Sequence, residues 1–412
     1  MSPTIAIVGA GPAGLLAGVI LQKHNVPFTV YELRSKPTDE EFAQPSGMLD
    51  LHEESGLAAL AACDLTEVFH TFTGECAEDQ KIADKNGKIL YQDEGNVSNR
   101  PEISRHNLTK MLLDTVSAPT TIHWNHKLVS VTETPNGTEL DFGENGKHTY
   151  DLVIGADGAW SKVRKALTDV KPAYAGTQYL VATIRNATEK YPHLAQLVGK
   201  GSFSSLANHH GVMTQRGPQD SIRVMVVVTT DDEQFATTKG FAGKPATHVI
   251  DTLLSDDSLL GSWGSLMKEL VKTACTEEEA DHPGQPLFIR PLYSIAAGTS
   301  WETKPGYTVI GDAAHVMCPW AGEGVNLAMN DAMILAQAIC KAVDGAGDAA
   351  AFKTEMATAL PALEKDMMQR WEPFAEETIR NGNMLFGSEN GSQSFVDFFK
   401  QFMPPEAFVT PE

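Results

Sequence analysis

The sequence predicts an α/β protein: a discontinuous Rossmann-like nucleotide-binding domain, an inserted α+β domain built on an antiparallel sheet, and a C-terminal helix. Three observations predict it. Apolar, β-branched runs at Thr4–Val8, Tyr150–Ile154 and Tyr307–Ile310 have the unbroken hydrophobicity of strands buried on both faces. The first run passes through a glycine turn, Gly9 to Gly14, into helical spacing from Leu15 to His24 and then a strand at Phe28–Glu32, which is a β-α-β unit. Between the second and third runs, from about Ala173 to Pro291, the pattern changes to alternating strands and amphipathic helices, so a domain of another kind interrupts the parallel sheet.

Taken in order, residues Thr66 to Tyr91 read as short strands with a turn at Asn86-Gly87. Ser104 to Val116 reads as a helix with Ser104 as N-cap. Thr121–Trp124, Lys127–Thr134 and Thr138–Phe142 read as strands, with a hairpin turn at Asn136-Gly137. Within the insertion, strands are expected at Gln178–Arg185, Gly211–Gln215 and Ser221–Thr229, and helices at Ala246–Leu254 and Ser265–Thr273. A long helix is expected from Val325 to Val343, then a helical tail from Ala349 with breaks at Pro361 and Pro373. The expected division is a nucleotide-binding domain from residues 1–65, 95–172 and 285–345, a substrate-binding domain from 66–94 and 173–284, and a C-terminal helical segment, 346–412, that packs across the substrate opening.

Composition narrows the partners. At 412 residues the chain needs two domains, or one large domain with an insertion. Lys and Arg number 32 against 53 Asp and Glu, a formal charge of −21, so nucleic acid and anionic membranes should repel it. The apolar stretch Ile5–Leu21 lacks a preceding basic region and is broken by Gly9, Gly11, Pro12 and Gly14, which argues against a signal peptide or membrane helix. The last residues, Val409-Thr410-Pro411-Glu412, match no peroxisomal or prenylation signal, and sequons such as Asn96-Val97-Ser98 carry little meaning without export. Cys63, Cys76, Cys275, Cys318 and Cys340 form no C-x-x-C pair, so neither a redox dithiol nor a zinc site is expected, and the thiols should be reduced. These features together predict a cytoplasmic protein without a metal, expected to be a monomer.

Three motifs carry the chemistry. In Gly9-x-Gly11-x-x-Gly14 the glycines allow a tight turn and close approach to a pyrophosphate, which the following helix N-terminus attracts through Pro12, Ala13 and Gly14. Glu32, with Leu33 and Arg34 beside it, ends the next strand, where a carboxylate accepts from an adenosine ribose hydroxyl. This motif alone does not separate FAD from NAD. The second motif runs from Asp151 through Gly155-Ala156-Asp157-Gly158 to Ser161-Lys162-Val163-Arg164. The third is Gly311-Asp312-Ala313-Ala314-His315, continuing to Pro319, Gly322, Gly324, Val325 and Asn326. A dehydrogenase would explain the first motif but not the other two.

With these motifs in order from Thr4 to Val343, the chain resembles the group A FAD-dependent aromatic hydroxylases of the p-hydroxybenzoate hydroxylase fold. Ser46-Gly47-Met48-Leu49-Asp50-Leu51-His52, Glu102-Ile103-Ser104-Arg105-His106-Asn107-Leu108 and Ser161-Lys162-Val163-Arg164 are similar to segments of the tetracycline-inactivating flavin monooxygenases. The resemblance implies FAD as cofactor. Glu32 and Arg34 would hold the adenosine side, Asp50 and Arg105 would contact the flavin, Asp157, Gly158, Gly311 and Asp312 would line the ribityl–pyrophosphate chain, and Gly322 to Asn326 would present backbone N–H groups to the pyrimidine ring. That last placement has a physical basis, since a helix N-terminus stabilises the anionic reduced flavin with fixed dipoles. Pro319 and Trp320 would lie at the flavin–substrate boundary.

The implied reaction is hydroxylation of an aromatic or enolic polycyclic molecule, tetracycline-like or another polyketide. NADPH, or NADH, binds transiently and reduces FAD; O2 then forms a C4a-hydroperoxyflavin that delivers oxygen. The flavin carries the chemistry, so no acid–base side chain is nominated. His315 reads as a structural hydrogen-bonding residue, and His52 and Cys318 as packing residues rather than sites of flavin attachment. The polar residues that grip the ligand in the tetracycline enzymes fall at Val181, Ser204 and Arg223, and an arginine associated with the nicotinamide falls at Ala43, which points away from tetracycline itself. Substrate-sheet candidates are Arg223 and Met225, with His209 and His210 nearby, although alternation alone does not say which face each takes. No G-W-x-W-x-I-P segment supports a halogenase. A non-catalytic flavin sensor of the same fold stays open on sequence grounds.

Overall fold

Five short strands run parallel in the order Tyr307–Val309, Leu152–Gly155, Ile5–Val8, Thr29–Tyr31, Ile122–His123, so three segments far apart in sequence meet in one sheet. A computed structural model describes residues 2–73, 77–93, 95, 101–116 and 122–401. The Asn96-Val97-Ser98 sequon, Cys76 and residues 409–412 lie outside the described residues. Ile5, Ile7, Val30, Leu152 to Ile154 and Val309 are buried, as expected of strands covered on both faces. One cover is the helix Pro12–Lys23, whose residues from Ala13 to Leu21 are all buried. It approaches the sheet closely because Gly14 has no side chain: a Cβ there would run into the carbonyl oxygen of Gly9. The helix Gly324–Gly345 packs against it.

The second sheet has seven strands: Phe288–Ser294, Ala173–Ile184, Ser221–Thr229, His210–Gly217, Ser202–Ala207, Gln80–Ala83 and Ile89–Gln92. All pairings are antiparallel except Ser202–Ala207 with Gln80–Ala83. Its two faces are chemically distinct. Leu180, Ala182, Ile184, Val224, Val226 and Val228 pack against the helices Ala246–Ser255 and Ser265–Asp281. The alternate residues Tyr179, Met213, Leu206 and Val227 face the opposite way and meet Trp320, Leu385 and Phe386. A small ribbon, Met48–Asp50 paired with Glu102–Ser104, lies between the two sheets and touches the strand His210–Gly217. Ser104 caps the helix Arg105–Thr115 by accepting from Asn107 N at 3.1 Å, as its sequence position predicts.

Several elements differ from expectation. Thr66–His70 is a helix, not a strand, because Phe69 is fully buried with Leu65 in the core around the parallel sheet. The second sheet therefore begins at Gln80 rather than at residue 66. It also extends past residue 284 to Ser294, since Phe288–Ser294 is its edge strand; Pro291 lowers the strand signal there but is tolerated where an N–H is not needed by a second neighbour. Ser202–Ala207 escapes a sequence reading because serines fill half of it.

The tail is one helix, Ala349–Phe386, which passes through Pro361 and Pro373 without breaking. Both prolines are exposed, on the side where bending away from the ring clash costs least, while Leu360, Trp371 and Ala375 hold the other side in place. Its first half is not an appendage: Phe352, Met356, Leu360 and Met367 join the core of the parallel sheet. Its last turn reaches the second sheet through Leu385 and Phe386, so only the end of the tail lies where a covering segment was expected. The helix Gly391–Phe399 then packs on the strands Gln80–Ala83 and Ile89–Gln92, with Phe399 stacked on Tyr91 at 5.1 Å.

Candidate active site

Parallel strands end on one edge, and all three sequence motifs follow those ends. Gly9–Gly14 follows Val8, Glu32–Arg34 follows Tyr31, Asp157-Gly158 follows Gly155, and Gly311-Asp312 follows Val309. Ligands of open parallel sheets bind outside this edge. Gly9, at φ +109°, turns the chain where a Cβ would strike the backbone of Ala156. No side chain caps the helix Pro12–Lys23 and no acid occupies its first turn, which leaves its N-terminal donors and dipole for an anion. A Cβ on Gly11 would meet only open space. The helix Gly324–Gly345 is likewise uncapped by side chains and free of acids in its first turn.

Glu32 is held by two backbone donors, Ala10 N at 2.8 Å and Arg34 N at 2.9 Å, which fix its carboxylate beside the glycine turn. Leu33 and Arg34 are exposed next to it. Asp312 is reached by solvent yet recessed among protein atoms, as on the floor of a cleft; these surroundings raise its carboxyl above the usual range, against the pull of His315, Arg105 and Arg164. Asp157 is committed elsewhere: its carboxylate accepts from Ser161 Oγ at 2.5 Å and Lys162 N at 2.7 Å, capping the helix Lys162–Leu167. Arg164 spans the two loops, donating to Ala313 O at 2.7 Å and Ala159 O at 2.5 Å.

The far side of the site is built around Asn326, which is fully buried. Its Nδ2 donates to Asp50 O and its Oδ1 accepts from His52 N, both at 2.9 Å, so its side chain ties the segment 50–52 to the helix start rather than facing the cleft. His52 lies between two carboxylates, with Nε2 2.9 Å from Asp50 Oδ2 and Nδ1 3.1 Å from Glu323 Oε1. These acids push its pKa up to about 9, so it is an imidazolium at neutral pH. Gly322 adopts φ +74° beside Asp50, and Gly324 and Val325 open the helix. Exposed Pro319 begins the turn Pro319–Ala321, which sets the half-buried Trp320 ring 5.0 Å from that of Phe386, centroid to centroid. His315 is a structural residue: it is buried, 2.6 Å from Asp331 Oδ2 and stacked on Trp371. Buried Cys318 lies 3.5 Å from Ser294 Oγ.

The model of the FAD binding domain family matches residues 2–273 and 303–370. The chain belongs to that family. Monooxygenase penA of Penicillium thymicola is 31% identical over 423 residues, covering 94% of this chain and 96% of the relative. Among solved structures, Klebsiella pneumoniae HpxO complexed with FAD and uric acid superposes with a TM-score of 0.72 at 17% identity, over 97% of this chain and 92% of that one. The tetracycline destructase Tet(51) superposes with a TM-score of 0.67 at 17% identity over the whole of both chains. These two likenesses are likenesses of fold. This member of the FAD-binding family is an FAD-dependent monooxygenase of the aromatic-hydroxylase type.

The residues present suit FAD. Two uncapped helix N-termini, side-chain-free glycines at both, a fixed Glu32 carboxylate and the exposed cations Arg34 and Arg105 lie along one cleft edge. Among the described residues no group of His, Cys, Asp and Glu could hold a metal, and no helix is long and apolar enough to cross a membrane.

Register settles the faces that alternation left open. Arg223 opposes Gln215 and Thr183, and Met225 opposes Met213 and Val181, so both candidates share the face of Tyr179, which meets Trp320. His210 does not: it shares the helix-covered face of Val228 and its ring bonds to the carbonyl of Ser258, while the His209 ring bonds to the carbonyl of Phe386. Sequence reasoning missed Tyr179 and Arg290, which pair across neighbouring strands on the same face. A strand assignment for Phe288–Ser294 would have found Arg290 by alternation.

Proposed function

We propose that the protein uses NADPH or NADH as a transient electron donor, with O2, to hydroxylate an aromatic or enolic polycyclic molecule. Bound FAD supplies hydride acceptance and oxygen activation at an electron-rich carbon. The protein's own residues orient the reactants and exclude water. Backbone N–H groups of Gly11, Ala13 and Gly14 would bind the pyrophosphate, Glu32 and Arg34 would hold the adenosine side, Arg105 would contact the flavin, and the helix start at Gly322–Asn326 would face the flavin ring. Asp312 would contact the ribityl chain; Asp157 and Gly158 would contribute backbone only.

The observation that carries the substrate reading is the inner face of the second sheet. Met213 and Trp320, half-buried over Leu206, Val227 and Phe386, make an apolar wall on the face of the sheet away from its helices. Such a wall suits a flat apolar ligand and keeps water from the reacting centre. The test is anaerobic mixing of the FAD-loaded protein with NADPH or NADH across a panel of phenols, anthraquinones, tetracyclines and other polyketides. Bleaching of the flavin that some panel member accelerates, followed in air by a hydroxylated product and little peroxide, is expected. A flavin that neither nucleotide bleaches with any panel member sinks the reading.

A further inference from the structure

One buried histidine holds two acids from distant parts of the chain. The His52 ring has Nε2 2.9 Å from Asp50 Oδ2 and Nδ1 3.1 Å from Glu323 Oε1. A neutral imidazole carries one N–H and would set a lone pair against the second carboxylate, so this ring holds two protons and is a cation. The other polar groups of the residue are also taken: its N–H donates to Asn326 Oδ1 and its carbonyl accepts from Leu57 N, both at 2.9 Å. Gly56 makes room for the Asn326 amide, since a Cβ there would stand 2.5 Å from Oδ1. The side chains of His52, Glu323 and Asp50 are 3%, 12% and 36% exposed, so water screens the cation and Glu323 poorly.

Asp50 ends the ribbon strand Met48–Asp50, with Glu102 opposite it, and Glu323 immediately precedes the helix Gly324–Gly345. A side chain in that position commonly caps its helix by accepting from the first N–H groups. Glu323 does not: its carboxylate turns to His52, and no side chain caps the helix. The helix ladder begins with Leu327 N donating to Glu323 O at 2.9 Å, so the N–H groups of residues 324–326 lie ahead of it. Among the described residues His52 is the one cation in ion-pair range of either acid. The three side chains therefore carry one net negative charge with His52 and two without it.

We propose that His52 tunes the electron affinity of the flavin: it cancels one of the two carboxylates and keeps Glu323 off the helix start, whose donors stay free for the negative charge that reduction brings. This rests on the reading that residues 322–326 face the flavin ring. Accepting a hydride makes the cofactor one unit more negative. Free N–H groups and the helix dipole favour that charge, whereas an uncompensated pair of acids beside them repels it and favours the oxidised form. His52 is a positioning residue, acting through Glu323 and Asp50 rather than on the reactants.

The test is the midpoint potential of the FAD-loaded protein, read against a reference dye during slow anaerobic reduction. His52→Gln should lower it by about 30 mV, which is a tenfold shift toward oxidised flavin in a two-electron couple. Glu323→Gln should raise it, and the double variant should return close to the unmodified protein. Opposite signs from the two single changes follow from charge and not from loosened packing. Val325→Pro tests the underlying reading: it removes one free N–H in the first turn, where a helix accepts proline, and should lower the potential. A potential that Val325→Pro leaves unmoved means the helix start does not face the ring, and the placement fails together with the proposal. If Val325→Pro shifts the potential while His52→Gln and Glu323→Gln leave it in place or move it in one direction, the tuning role is overturned and the placement stands. Should His52→Gln not retain FAD, a rise in Glu323→Gln supports the proposal and the lack of one overturns it.

Discussion

At Glu32 one carboxylate organises the glycine turn through Ala10 N and its own loop through Arg34 N. Its place at the strand end was legible in the sequence, which read it as a ribose acceptor; the bracing of the turn was not. Asp157 was not: its motif suggested a cofactor contact, and the structure spends its carboxylate on capping a helix. No sequence pattern separates the two, since both need an acid just past a strand. His52 was equally hidden, because Glu323 is remote in sequence. Its pKa rises from 6.5 to about 9, so the stabilisation it contributes is fully present below about 6.5 and is lost as pH rises through about 9. The groups facing it are Asp50 and Glu323, with Asn326 bonded to its backbone. The thermal midpoint of the protein should therefore exceed that of His52→Gln at pH 7, and the gap should narrow by pH 10. A gap that widens with pH means the imidazole is neutral in the folded state.

Among the elements, those with a strict period were read well and those set by distant partners were not. The strand Ser221–Thr229, a β-branched run, was found with its own bounds, whereas Thr66–His70 became a helix only because Phe69 needs the core. The helix Ala349–Phe386 makes the same point in reverse. Local preference at Pro361 and Pro373 argues for breaks, and packing of Leu360 and Trp371 overrides it. The cost is still present in the folded protein. Pro361→Ala should restore a backbone N–H and relieve the ring clash, stabilising by roughly 1–2 kcal/mol after the lost rigidity of the unfolded chain is set against it. Urea unfolding measures this; destabilisation would show that the proline at 361 is required for the packing of the two halves.

For the molecule as a whole, the parallel sheet is assembled from three stretches of chain and completed by a fourth. Phe352, Met356, Leu360 and Met367 bury their side chains in its core, each contributing on the order of 1.5–3 kcal/mol. Together that is roughly 6–12 kcal/mol, comparable to the roughly 5–15 kcal/mol that holds an entire domain folded. Truncation after Ala346 should consequently abolish soluble FAD-binding protein, as seen by flavin content after purification, whereas truncation after Gly387 should keep FAD. Recovery of a flavin-loaded protein from the shorter chain would refute this. The motif order made the interrupted domain legible; the tail's membership in it was not, because nothing local distinguishes a helix that completes a core from one that covers a cleft. The two-faced sheet has a different kind of consequence. Leu180, Ala182 and Ile184 serve the scaffold, while Tyr179, Val181 and Thr183, interleaved with them, face the opposite side, which we propose meets the substrate. Specificity and foldability are thus written on alternate letters of the same strand. A lineage can rewrite one set while leaving the other untouched, so new substrates are within reach of single substitutions that do not endanger the fold.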